Sequence, residues 1–286
     1  MSNVDDLERE LEHAERAGNE RLAGMLRELR DAARAPDPPK TMSYEGDQAK
    51  PRITLTGIDS KVLRWQAQQL LDEHPSVELG ILWSDTRDAP RYMRRSAICS
   101  ALEALASLAQ PGRGNMRLAV HVCGAEATRA FLGLAEDTRL DVSDMMMRET
   151  IRAYAARVQI NGRPSRWHVA RATGIFRRSI ITQWRPMDRS APFTVFPNTA
   201  VLVDASGGRG VEPETWSVPD VRAPVGFAGG LSLENLAFHL PKILPLARPG
   251  FWIDMETSLR TNDWFDMERA KATVQVFETL IARAGL

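Results

Sequence analysis

The sequence predicts an α/β fold, a (β/α)8 TIM barrel with an N-terminal helical extension, and three observations point to it. Eight strand-like segments, short runs of β-branched and apolar residues, succeed one another through residues 52–286. Helical periodicity separates most of them, and eight β-then-α units in about 235 residues match the count and size of such a barrel. Near the C-terminus, VLVDASGGRG (201–210) and VGFAGGLSLENL (225–236) each carry an apolar strand into a glycine loop. Glycine lets backbone N–H groups approach an anion, and barrels commonly hold phosphate at this end. A doubly wound sheet is the alternative.

The elements follow in order. Residues 1–35 form an N-terminal amphipathic unit, a single helix over 4–34 in which Leu7, Leu11, Ala14, Leu22, Met25, Leu26 and Leu29 recur at helical spacing among Glu and Arg. Prolines and polar residues make 36–51 a linker. The barrel occupies 52–286, with strands at 52–57, 77–83, 117–124, 157–162, 179–184, 200–205, 225–230 and 251–256. Helical patterns at 61–74, 94–109 and 266–285 are the clearest between and after them. The N-terminal helix is expected to contact a second copy or another partner, or to brace the barrel.

Composition narrows the function. A formal net charge of zero gives no general attraction to nucleic acid or anionic lipid, so an anion site must be local. Two cysteines, a charged N-terminus unlike a secretory signal, and no run of membrane-spanning length predict a cytoplasmic protein. His13, His74, His121, His168 and His239 lack metal-ligand spacing, so no metal is expected. Neither a Walker-type loop nor a GxGxxG after a first strand occurs, and GRGN (112–115) reads as a turn; no cofactor is expected. Gln159, Asn161 and Gln183 fall at alternate strand positions facing the barrel interior, where polar groups bond a ligand or each other.

In these residues the chain resembles the phosphoribosylanthranilate isomerases, barrel enzymes of tryptophan biosynthesis. Asp204 with Gly207, Gly208, Gly210 and Trp216 is similar to that family's strand-6 LLD and GGxG loop followed by a Trp; AGGLSLENL (228–236), with Gly229 and Gly230, resembles its strand-7 SGGLxPENV. WIDMETSLR (252–260) keeps the strand-8 Asp as Asp254, VQING (158–162) resembles VQLHG with Asn161 for His, and PRY (90–92) supplies Arg91. The resemblance spans roughly 52–285 and is densest in the last third.

It implies an Amadori rearrangement of a phosphorylated ribosyl amine, with Asp204 as general acid, Arg91 on a substrate carboxylate, Asp254 among the residues that hold the substrate, and phosphate on Gly207, Gly208, Gly210, Gly229, Gly230, Thr257 and Ser258. Strand 1 departs from the pattern: Thr56 stands where the family has its basic Cys, and a hydroxyl is a poor base without an activator. Cys123 at the end of strand 3 and Asp59 beyond strand 1 are candidate replacements. Their alternatives are a buried small hydrophobe and a helix N-cap. The alternatives are a loop cap for Asp204, tight turns for the glycines and a solvated loop residue for Arg91. Glu256 in strand 8 is expected to turn away from a phosphate and pair with Arg209 or Arg260, or to mark a changed ligand. Two other readings stand beside the isomerase: a non-catalytic phosphosugar or nucleotide sensor with the N-terminal helix as output, and another barrel chemistry such as a lyase or epimerase using Asp204 with Asp59 or Asp254.

Overall fold

Eight strands form where the alternation predicts them: β1 Arg52–Thr56, β2 Val77–Trp83, β3 Leu118–Val122, β4 Arg157–Ile160, β5 Ser179–Trp184, β6 Thr199–Asp204, β7 Val225–Ala228 and β8 Trp252–Met255. Each pairs in parallel with its sequence neighbour and β8 closes onto β1, which leaves the barrel without an edge. The computed structural model of the protein describes residues 11–13, 15–18, 20, 23, 27, 50–106, 117–134, 142–176, 178–187, 196–207 and 209–286.

Around the barrel lie α1 Arg64–Glu73, α2 Arg95–Ala106, α3 Ala125–Leu132, α4 Val142–Tyr154, α5 Arg166–Ile175, α6 Leu236–Ile243 and α7 Met267–Arg283. Residues 107–109 of the second helical pattern and the 112–115 turn fall outside the described residues. The main core lies between sheet and helices: Leu55, Ile81, Val158, Val203 and Ile253 face Leu70, Leu102, Ile151, Leu240 and Phe277. Each such fully buried side chain contributes about 1.5–3 kcal/mol relative to exposure.

Two departures from the expected eight β-then-α units occur. No helix follows β5 or β6 among the described residues; Pro213, Pro219 and Pro224 lie in the stretch after β6 and deny a helix its donors. Trp216 from this stretch fills the gap instead, stacking edge-on to Phe227 at 5.9 Å and donating from Nε1 to His239 Nδ1 at 3.2 Å. Beyond β8, a short hairpin of β9 (Arg260–Thr261) and β10 (Trp264–Phe265) precedes α7. Its two turn residues, Asn262 and Asp263, both have positive φ, which suits a tight hairpin.

The single N-terminal helix over 4–34 is also corrected. Helical residues 11–13 and 15–16 end at a turn where Gly18 takes φ +68°, a left-handed helix stop. Arg27 then reaches Glu15 at 2.9 Å, although twelve residues of straight helix would separate them by about 18 Å. The chain therefore doubles back. The rest of that predicted helix, and the linker over 36–49, lie outside the described residues. Among the described residues no helix is long and apolar enough to cross a membrane.

The barrel's interior has a polar floor. Arg157 Nε lies 2.8 and 3.0 Å from the two carboxylate oxygens of fully buried Glu78, and its Nη2 donates to Thr54 Oγ1 at 2.9 Å. Its guanidinium stacks 4.4 Å from the Trp252 ring centre. A Cβ at Gly226 would fall inside that indole ring. Gly226→Ala is expected to cost about 1–3 kcal/mol by overpacking, read as a lower guanidinium midpoint at unchanged slope. A loss below about 0.5 kcal/mol would show that Trp252 yields freely.

Candidate active site

Strand register sets the centre of the site. Asp204 of β6 pairs with Ala228 of β7, and Ala228 with Asp254 of β8, so two inward carboxylates stand level with a small residue between them. Two strand spacings put their Cα atoms about 10 Å apart. On the far side of Asp254, Thr56 at the end of β1 donates to its Oδ1 at 2.6 Å. Gly80 of β2 leaves room for that threonine, since a Cβ there would lie 2.6 Å from its hydroxyl.

Burial pushes the Asp254 carboxyl up to about 7; Glu78 and Asp204 push the same way, while the Thr56 bond and Arg157 oppose. It is thus a carboxyl that changes charge near neutrality, as a proton-transfer group requires. Asp204 is also buried, and its Oδ1 accepts both the N–H and the hydroxyl of Ser206, at 3.1 and 3.0 Å. Its loop-capping reading is therefore real. Oδ2 has no protein donor among the described residues.

The opposite wall is a chain of neutral polar groups. Gln159 Nε2 lies 3.2 Å from His121 Nδ1 and donates to Asn161 Oδ1 at 2.8 Å; Asn161 Nδ2 donates to Cys123 Sγ at 3.1 Å. With Nδ1 accepting, the imidazole proton sits on Nε2. Burial holds the His121 pKa down at about 4, so its 3.9 Å approach to Asp254 is not an ion pair at neutral pH. Gln183 accepts from the Gly162 N–H at 2.7 Å. Cys123 fails as the replacement base. Burial, helped by Glu256, pushes its thiol up to about 12, and a protonated thiol takes no proton.

Asp59 fails too, for a different reason. Its Oδ1 accepts from Lys61 N at 3.0 Å, and its Oδ2 takes Phe265 N at 2.7 Å and Arg260 Nη1 at 3.3 Å. It ties the loop after β1 to the hairpin after β8. Thr56 is not the base either, because its hydroxyl is spent on Asp254.

The glycine loops sit beside the two carboxylates. Gly207 (φ +65°) lies under the Arg185 guanidinium, whose carbon would be 2.7 Å from a Cβ there; Gly208 lies outside the described residues. A Cβ on Gly210 would stand 3.8 Å from the Thr257 side chain. Gly229 takes φ +119° with a Cβ position 2.9 Å from Ser206 N, and Gly230 abuts the 211–212 backbone. Both glycines allow loop 6 to lie directly on loop 7, a packing reason for their identity independent of any ligand. Ser258 Oγ donates to Leu231 O at 2.7 Å, bringing the turn after β8 to the same place.

Glu256 pairs with neither arginine expected of it. Its Oε1 takes Arg91 Nη1 at 2.8 Å, while Arg91 Nη2 holds Asp263 at 2.5 Å. So Arg91 is no solvated loop residue, and it already carries two carboxylates. Asp263 and Arg185 were missed from sequence. Asn262–Asp263 is a legible hairpin-turn pair, whereas nothing local marks Arg185, which is near the loop only because β5 lies beside β6.

No family model and no curated protein matches the chain. Among solved structures, phosphoribosylanthranilate isomerase from Thermus thermophilus is similar over 80% of this chain and 99% of that one, with a TM-score of 0.54 at 18% identity. Monomers generated from the dimeric phosphoribosylanthranilate isomerase of Thermotoga maritima give 0.51 at 12% identity, over 79% of this chain and 97% of theirs. At these identities the likeness is one of fold, the closed eight-stranded parallel barrel.

Proposed function

We propose that the protein is an aldose–ketose isomerase acting on a phosphorylated sugar or ribosyl amine, with Asp254 as base and Asp204 as acid. One observation carries the reading: a buried carboxyl that titrates near neutrality, Asp254, stands level with a second buried carboxyl, Asp204, beside the glycine loops. Asp254, drawn toward β1 by Thr56, takes up the work left by the missing strand-1 base.

The reaction balances without a co-reactant. Asp204 protonates the furanose oxygen as its bond to C1 breaks, and the amine lone pair forms a C1–N double bond. Asp254 takes the C2 proton, the C2–H pair forms the C1–C2 double bond, and the C1–N π pair returns to nitrogen to give an enolamine. A proton added at C1 and loss of the proton on the C2 oxygen, which returns to the carboxylate of Asp204, then leave the 2-ketone. The buried, neutral wall of His121, Gln159 and Asn161 offers hydrogen bonds to sugar hydroxyls without competing charge. The phosphate is received by the backbone N–H groups of Gly229 and Gly230 with Thr257, and by the cations Arg185 and Arg209 beside the 207–210 loop, whose own Gly207, Arg209 and Gly210 N–H groups donate to Asp204 O and Ser206 Oγ.

The test is turnover in D2O. The ribose 5-phosphate adduct of aniline is expected to yield the 1-anilino-1-deoxyribulose 5-phosphate with one solvent deuteron at C1, seen by NMR. Conversion no faster than without protein, across adducts of several amines, would overturn the isomerase reading.

A further inference from the structure

The turn after β7 departs from the way other strands end. The residue following β1, β3, β4 and β6 extends the ladder: Gly57, Cys123, Asn161 and Ala205 donate to Gly80 O, Trp83 O, Val122 O and Ala228 O. After β7, the N–H groups of Gly229, Gly230 and Leu231 find no acceptor among the described residues, although Leu231 is only 4% exposed. Buried N–H groups are seldom left so. Successive N–H groups in a turn whose glycines take φ +119° and +64° form a concavity suited to an anion.

The aim of the third N–H depends on Asn235, the residue before α6. Its Nδ2 donates to Gly230 O at 2.8 Å and to Glu212 Oε1 at 2.7 Å, and its Oδ1 accepts the Ser232 N–H at 2.7 Å. Carbonyl and N–H of one trans peptide point in opposite directions, so anchoring Gly230 O turns the Leu231 N–H away from Asn235. Glycine tolerates either orientation of that peptide, and the backbone alone does not choose. The flipped peptide presents a carbonyl oxygen in place of the N–H, which repels a phosphate.

Asn235 is itself held. Glu212 Oε2 lies 3.3 Å from His239 Nε2, and His239 Nδ1 lies 3.2 Å from Trp216 Nε1. An indole N–H only donates and a carboxylate only accepts, which places the imidazole proton on Nε2. Asn235, and after it His239, hold the Glu212 carboxyl below the usual carboxylate range, so it stays an acceptor. The neighbouring acid, Glu234, is paired with Arg269 at 2.6 Å. A continuous tether thus runs from buried Trp216 to the turn after β7.

We infer that Asn235 is a positioning residue for the phosphate: with Glu212 and His239 it fixes the 230–231 peptide so that the Leu231 N–H joins those of Gly229 and Gly230 on the anion. The inference rests on the phosphosugar reading and deepens it.

The test titrates N-(5-phosphoribityl)aniline and its phosphate-free counterpart, N-ribitylaniline, calorimetrically into the full-length protein. The wild type is expected to prefer the phosphorylated compound by at least about a hundredfold. Asn235→Ser removes the donor to Gly230 O and is expected to shrink that preference about tenfold, with N-ribitylaniline affinity unchanged within about twofold. Glu212→Gln leaves one acceptor oxygen for Asn235 and His239 together, and is expected to shrink it about threefold. Loss of the Glu212 charge alone would raise the preference, so a fall reads the tether; this exposed site serves if Asn235→Ser does not fold. A residue that only braces the fold lowers the urea midpoint and leaves the preference alone. A preference that does not fall in the folded variants therefore overturns the inference, while the wild-type preference keeps the phosphosugar reading. A wild type that binds neither compound, or both equally, overturns both.

Discussion

Asp254→Asn is expected to cut isomerase turnover about 10³-fold and, at the same time, to make the protein more stable at pH 8. The second effect follows from the first requirement. A carboxyl raised from 3.8 to about 7 binds its proton more tightly folded than unfolded, so its contribution to stability is present below about pH 4 and is lost as pH rises to about 7. That loss is about 4 kcal/mol, at 1.36 kcal/mol per pH unit, and the neutral asparagine avoids most of it.

His121 works in the opposite sense. Its pKa falls from 6.5 to about 4, so the unfolded state gains protons between those values and stability rises by about 3 kcal/mol from pH 4 to 6.5. The wild type is therefore expected to have a nearly flat stability profile over that range, because the two slopes oppose. In Asp254→Asn the His121 slope is no longer opposed and is joined in the same sense by His168, whose pKa burial also lowers, so urea unfolding from pH 4 to 7 should show stability climbing with pH. A variant profile as flat as the wild type would sink this account of Asp254. The rate of the wild-type enzyme should rise through pH 7 as Asp254 ionises; a falling limb would exchange the roles of Asp254 and Asp204.

Arg157→Met is expected to destabilise the barrel by about 3–5 kcal/mol. Glu78 is fully buried, and although burial alone raises its pKa, Arg157 reverses the shift and holds the carboxyl below the usual range. Without Arg157 the buried charge loses its hydrogen-bonded cation and keeps the weaker pull of Arg52. The double variant Glu78→Leu with Arg157→Met should recover much of the loss, since an apolar pair of similar volume replaces the ions without an orphaned charge. Chemical denaturation of the two variants beside the wild type measures this. A double variant no better than Arg157→Met would show that the floor depends on polar contacts beyond the pair, with Thr54 and the Trp252 stack the first to examine.

Much of the barrel could be read along the chain. Strands such as VELGILW and helices such as α7 carry their period in consecutive residues, and their positions fell within a few residues of expectation. The stretch after β6 departs from the count of eight β-then-α units, and its three prolines are the local signal against a helix there. Within the site, Asp204 and the glycine loops were visible as local motifs. Asp254 is legible as a ligand-holding residue and as one of two acids that could act with Asp204, but its charge behaviour is not, because that depends on burial and on neighbours from other strands.

Local periodicity and turn chemistry determined the order of elements, the closed parallel architecture and the end of the barrel that carries the site. Tertiary structure alone decided which groups share charge and protons. Thr56 reaches Asp254 across 198 residues of chain and Arg91 reaches Glu256 across 165, and both contacts exist only because β8 returns beside β1. Desolvation has the same origin. No sequence pattern shows that a carboxyl will lose its water, and that loss is what separates Asp254, a titrating group, from Asp59, a strut.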